Sequence, residues 1–230
     1  MHHWVKQQLY SSTLLSQQAF DQMLEHATVL EQDELGIKVI QLATGEILKI
    51  FRVKRLWSGA NIFSYARRFY RNASRLQALG IPSIKTEKLY HLENPYETAV
   101  LYQPVPGKTI RQLIAAQDTP LALAEALGNF IAQLHRKGVH FHSLHTGNVV
   151  LMPDGALGLI DISDLTRYPW PLFCNTRARS FRRLCRYPED IQKLGFAFWQ
   201  TLQQHYFQSS QLNKHCELMI KKTILQIGVF

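Results

Sequence analysis

The stretch GVHFHSLHTGNVVL, residues 138–151, limits the fold more than any other part of the chain. A helical pattern over Leu121–Lys137 runs into Gly138, and a glycine directly after a periodic run is a helix stop. Beyond the loop, Val149–Met152 and Leu157–Ile160 flank Pro153-Asp154-Gly155, which predicts a β-hairpin. A helix, a histidine-rich loop and a short hairpin ending at Asp161 must therefore follow one another without a spacer. No carboxylate occurs between Glu125 and Asp154, so the loop carries no negative charge.

The flanking chain divides in two by pattern. Ser16 caps a predicted helix over Gln17–His26. Two β-like runs follow, Ile37–Leu42 and Ile47–Phe51, joined by a turn at Thr44-Gly45-Glu46. Ile62, Phe63, Ala66, Phe69, Ala73 and Leu76 then recur at helical spacing, stopped by Gly80 and Pro82. Further β-like runs, Ile84–Leu92 and Thr98–Gln103, lead into a linker, Pro104-Val105-Pro106-Gly107. After it come helices near Thr109–Ala116, over Leu121–Lys137 and beyond Asp190. The expected class is α+β in two lobes, residues 1–103 rich in strands around one long helix and residues 104–230 mostly helical.

Several residues in this order suit phosphoryl transfer, which requires a cation on the nucleotide phosphates, oxygen ligands for metal, and a group orienting the acceptor. Lys49 lies on an apolar strand, Ile47–Ile50. Leu144-His145-Thr146-Gly147-Asn148 matches L-x-x-x-N, and Leu159-Ile160-Asp161 runs from an apolar strand into an aspartate. Pro188–Gly195 carries D-x-x-x-L-G. In these motifs the chain resembles the protein-kinase-like superfamily. It is most similar to the compact bacterial branch of lipopolysaccharide-core sugar (heptose/Kdo) kinases and related "toluene tolerance" proteins. The ALGIPS step, VPGKTIRQL and H-x-G-N ending carry the closer likeness, which spans roughly Val29 to Leu202.

The resemblance implies a two-lobed kinase-like fold with ATP and Mg²⁺ as cofactors. Lys49 would hold nucleotide phosphates, and Asn148 and Asp161 would bind the metal. It also exposes departures. Ser143 stands where the catalytic aspartate belongs, and a hydroxyl is a poor proton acceptor near neutral pH. His142 and His145 flank it as candidate substitute bases. Asn72 occupies the place of the glutamate that pairs with the lysine. From Ile47 to Thr86 there are nine Lys or Arg and no acidic residue, so the usual ion pair cannot form. Glu31–Lys38 holds a single glycine, Gly36, and makes no evident phosphate cradle. A metal site on His140, His142 and His145 is disfavoured by loose spacing and the lack of an acidic or cysteine ligand.

Charge sets the expected partner. The 230-residue chain has a formal net charge of +9 and a pI near 9.6, which favours anions. Arg67, Arg68, Arg71 and Arg75 lie along the long helix. Arg167, Arg177, Arg179, Arg182, Arg183 and Arg186 fall between Asp164 and Glu189 with no acidic residue among them. By the resemblance these face an anionic glycolipid or phosphorylated sugar acceptor, with Trp170 and Phe173 available to stack on sugar or touch lipid. A solvated basic face in peripheral contact with the inner membrane is the simpler alternative. No nucleic-acid-binding motif is present, and no nucleic acid partner is expected. The N-terminal MHHWVKQQLYSSTLL lacks a signal-peptide core, no apolar run reaches the roughly 18 residues of a span, and Cys174, Cys185 and Cys216 show no disulfide or zinc pattern. Those features predict a cytoplasmic protein. Two functions stay open: an ATP-dependent sugar or glycolipid kinase, and an inactive pseudokinase that binds nucleotide or acts as a scaffold in envelope biogenesis.

Overall fold

The computed structural model describes residues 12–52 and 64–228. The expected features at residues 1–11, Lys54, Arg55, Ile62 and Phe63 lie outside them. The protein is α+β, with strands concentrated in the N-terminal part and helices in the C-terminal part. It divides into two compact units, one made of residues up to Ala78 with Ser83–Pro104, the other of Leu79–Pro82 with Val105 onward.

The first unit is a six-stranded sheet. Its strands are β1 (Thr13–Leu15), β2 (Thr28–Asp33), β3 (Gly36–Gln41), β4 (Ile47–Arg52), β5 (Lys85–Leu92) and β6 (Glu97–Gln103), in the order β1-β5-β6-β4-β3-β2. The β1–β5 pair is parallel and the others are antiparallel. The Glu31–Lys38 segment is a hairpin between β2 and β3. Its tight turn needs Gly36 at φ 109°, and Asp33 Oδ1 accepts from Leu35 N. Strand period two sends Leu48 and Ile50 into a core with Ile40, Tyr90, Ala99 and the helix α1 (Gln17–Leu24), which Ser16 caps as predicted. Lys49 and Phe51 point to the opposite face. There Phe69 of α2 (Ser64–Ala78) packs at a tilt against Phe51 and edge-on to Tyr102, with ring centres 5.4 and 5.3 Å apart.

The second unit is built on α4 (Leu121–Arg136) and α6 (Pro188–Ser210), the latter kinked at Gly195, where the backbone leaves helical geometry at φ 73°. They cross at Gly128, where a Cβ would stand 2.4 Å from the Leu202 carbonyl oxygen, so only glycine allows the approach. Leu127, Phe130, Ile131, Leu134, Phe198, Trp199, Leu202 and Tyr206 are buried around that crossing. The short α3 (Ile110–Ala115) begins with a complete capping box formed by Thr109 and Gln112. β7 (Lys108–Thr109), β9 (Val149–Leu151) and β10 (Leu157–Leu159) form one small sheet. β8 (Val139–Phe141) and β11 (Leu165–Arg167) form another. The hairpin falls where the sequence predicts it. The segment Leu79–Pro82 belongs to this unit because Pro82 O accepts from Leu159 N and Leu79 O accepts from the Lys137 ammonium.

Two features depart from expectation. The arginine-rich stretch contains a helix, α5 (Cys174–Leu184), which buries Ala178, Phe181 and Leu184 at helical spacing. The cysteines do not all remain thiols. Cys174 at the start of α5 is disulfide-bonded to Cys216 in the first turn of α7 (Lys214–Gln226), with Cα atoms 5.3 Å apart. The two are 42 residues apart in sequence, a pairing that spacing alone does not reveal. A disulfide is uncommon in a reducing cytoplasm, so the cysteine argument for that compartment does not stand. Among the described residues no helix is long and apolar enough to cross a membrane.

Candidate functional site

The expected site residues fall in both units. In the first unit Lys49 sits on β4 opposite Val39 and Val100. Its ammonium lies 5.7 Å from the Phe51 ring centre and 5.6 Å from that of Phe69. Aromatic faces can hold a cation by their quadrupole, and both rings lie close enough to the ammonium to do so. Asn72 is one turn beyond Phe69 and is buried on the same apolar stripe as Ala66, Ala73 and Leu76. Of the helix arginines, Arg68 stacks over Tyr65 at 4.4 Å, while Arg71 and Arg75 are exposed.

In the second unit the hairpin register brings the two candidate metal ligands together. Leu159 pairs with Val149, and Ile160 N donates to Asn148 O at 3.1 Å, so Asp161 leaves the hairpin beside Asn148. Asp161 has φ 51°, a left-handed conformation that a non-glycine residue adopts at a cost. Asn148 Nδ2 donates to the Ser143 carbonyl at 2.9 Å, which leaves the Asn148 amide oxygen as the available acceptor. A carboxylate and an amide oxygen are hard donors that suit Mg²⁺, which usually takes one or two protein oxygens along with phosphate and water. Among the described residues no group of three His, Cys, Asp or Glu side chains is placed to hold a metal.

The loop between Gly138 and Asn148 is pinned from α6. Asp190 Oδ2 accepts from Arg111 Nε at 3.1 Å, from Arg111 Nη2 at 2.9 Å and from the Thr146 hydroxyl. Arg111 also lies over Tyr187, 4.1 Å from the ring centre, and His145 meets the same ring edge-on. Arg111 and Thr146 are structural parts of the site that motif reading does not single out. Both fall inside motif segments, Arg111 in VPGKTIRQL and Thr146 in Leu144–Asn148, and the acid that joins them opens α6, whose N-terminal end favours a carboxylate.

Ser143 lines a cavity of about 420 Å³ with His142, Leu144, His145, Arg179, Arg182, Arg183 and Arg186. Four arginines and no acid make it strongly cationic. The helix explains most of the comb: Arg179, Arg182 and Arg183 follow the three- and four-residue steps of one face of α5, and Arg186 follows just past its end, its N–H donating to Arg183 O at 3.1 Å. Arg183 Nη1 donates to the His142 carbonyl at 2.5 Å and ties α5 to the loop. Arg177 behaves differently, being buried with Nε donating to Leu172 O at 2.7 Å. Arg167 is on β11, and the exposed Trp170 and Phe173 are not among the lining residues.

The histidines are held neutral. Burial lowers the pKa of His145, helped by Arg111 and Arg186 and opposed by Asp161 and Asp190. Gly147 N–H donates to its Nδ1 at 3.1 Å, so the neutral ring carries its proton on Nε2. Burial also lowers His142, opposed by Asp164 and aided by Arg183 and Arg179, while its Nε2 meets the Thr166 hydroxyl at 3.2 Å. His140 stacks on His142 at 4.0 Å and is pushed down to about 4 by burial, then by His142, Arg183 and Arg179. His135, against Tyr206, is lowered by burial in the same direction. An unfolded histidine titrates near pH 6.5, so the unfolded chain binds these protons first as pH falls. Stability should be complete above about pH 6.5 and decline steadily towards pH 4. A melting temperature that stays flat across that window would contradict the buried, neutral histidines.

No protein-family profile matches the chain, and neither does any curated protein. Among solved structures the chain is similar to the bifunctional kinase-methyltransferase WbdD, at 16% identity and a TM-score of 0.47. That likeness covers 78% of this chain and 41% of the other, so the chain spans about two fifths of that protein's length.

Proposed function

We propose that the chain is a kinase-like phosphotransferase that binds Mg²⁺·ATP and transfers phosphate to an anionic sugar or glycolipid. The observation that carries this is Asp161, held in a left-handed backbone beside Asn148 at the end of the hairpin. Aspartate tolerates this left-handed backbone better than most side chains, and here the turn carries the Asp161 carboxylate out of the hairpin next to Asn148. In this reading Asp161 and the Asn148 amide oxygen hold the metal, and Lys49 steadies the nucleotide phosphates. ATP would supply the transferable phosphoryl group, and the arginine-lined cavity would receive the acceptor. Ser143 in place of a carboxylate favours a second reading, a pseudokinase that binds nucleotide without turnover.

Thermal unfolding with and without Mg²⁺·ATP tests the first step. A ligand at 100 times its Kd adds about 2.7 kcal/mol, a shift of several degrees for a chain this size. The shift should be present in wild type and lost in Asp161→Ala. A wild type that does not respond would overturn both readings as nucleotide binders. A shift in wild type without phosphate transfer to any anionic sugar would favour the pseudokinase.

A further inference from the structure

We infer that the acceptor in this cavity is an already ionised phosphate monoester, so that the product is a phosphoanhydride and not a phosphoester. The inference rests on the phosphotransferase reading and names the nucleophile for that same site. A hydroxyl acceptor must lose a proton as it attacks, and a carboxylate base normally receives it. The cavity provides no carboxylate. Of its two imidazoles, His145 spends its Nδ1 lone pair on Gly147 N–H, and His142, whose Nε2 meets the Thr166 hydroxyl, is a weakened base because burial and the neighbouring Arg183 and Arg179 lower its pKa.

A phosphate monoester needs no base, because its oxygens are ionised above a second pKa of about 6. Its obstacle is different. It must approach the γ-phosphate of ATP against like charge, which only cations can offset. Arg179, Arg182, Arg183 and Arg186 supply these cations, and guanidinium groups bind phosphate oxygens in pairs. An aspartate at position 143 would add a further negative charge to the crowded site. Serine removes that charge and offers a hydroxyl donor to a phosphate oxygen. The missing carboxylate and the arginine comb are therefore two parts of one adaptation. At about 420 Å³ the cavity lies within the ordinary range for small-ligand sites.

The step balances. A lone pair on a non-bridging oxygen of the monoester forms a bond to the γ-phosphorus of ATP, and the bond from that phosphorus to the β–γ bridging oxygen breaks. The electron pair leaves with ADP. A dianionic monoester and tetra-anionic ATP give a trianionic diphosphate ester and trianionic ADP, with no proton released. A hydroxyl acceptor would release one. The monoester must come from an earlier phosphotransfer onto a hydroxyl.

The test uses the full chain with Mg²⁺·ATP above about pH 8, where phosphate monoesters are fully ionised. Glucose 6-phosphate and inorganic phosphate are the phosphorylated probes, and glucose is the control. Phosphorus NMR should show a new anhydride signal with a phosphorylated probe and no ester on glucose, while a pH-stat records no acid. Ser143→Asp should cut anhydride formation by at least about tenfold, since like charges would then face each other. Arg179→Gln and Arg182→Ala, both exposed, should lower the rate with the Mg²⁺·ATP melting shift unchanged. Ester formation on glucose with acid release overturns the inference. So does Mg²⁺·ATP binding without transfer to either phosphorylated probe, which leaves the nucleotide-binding reading intact. Failure to bind Mg²⁺·ATP at all overturns both.

Discussion

Gly138→Ala is expected to destabilise the protein by about 3–5 kcal/mol, the sum of an αL penalty and a backbone clash. Gly138 ends α4 at φ 72° and opens the loop that carries Ser143. Its N–H donates to His135 O, and its own carbonyl accepts from Tyr168 N at 2.8 Å. A Cβ would stand 2.2 Å from Tyr168 O and 2.5 Å from Trp170 O, both backbone atoms that cannot turn aside. The melting temperature should fall by roughly 10 °C. Gly155→Ala is the control, because that turn glycine has φ 83° but nothing within 4 Å of an added Cβ. It should cost only about 1 kcal/mol. Equal losses in the two variants would mean that the close approach at Gly138 contributes nothing.

The hairpin after Gly138 was readable because each local signal agreed with the next. Alternating apolar residues, Pro153-Asp154-Gly155, and the helix stop at Gly138 all specify the same local path. Strand period also explains Lys49, since a lysine between Leu48 and Ile50 must face away from the core those residues build. The strands β2, β8 and β11 were harder. β2 has every residue exposed and two register shifts, so it lacks the alternation that marks a half-buried strand. β8 and β11 have three residues each, too few for any period to show.

The arginine-rich stretch shows a different limit. Charge alone reads as an exposed segment, but Ala178, Phe181 and Leu184 give α5 a buried stripe and Arg177 turns inward. Only with the helix formed do four of the arginines gather on the cavity beside Ser143. The pairing of Cys174 with Cys216 is likewise a consequence of α5 and α7 packing together. The candidate site was thus legible as a set of residue types. Which cations meet which loop required the fold.

Asp190→Ala is expected to loosen the loop from its other end. The Asp190 carboxylate is mostly buried and takes three donors, two from Arg111 and one from Thr146. Removing it leaves the buried Thr146 hydroxyl without this acceptor and Arg111 without its ion-pair partner. The loss should be about 2–4 kcal/mol, near the lower end because the Arg111 side chain is 40% exposed and water can partly replace the acid. Thr146 lies two residues before Asn148, so the variant should also weaken the melting shift produced by Mg²⁺·ATP. Thr146→Val offers the matching test. If Asp190 acts through Thr146, the double variant should lose less than the sum of the two single losses. Additive losses, with the nucleotide shift unchanged in Asp190→Ala, would make the acid a helix-end stabiliser that does not position the loop.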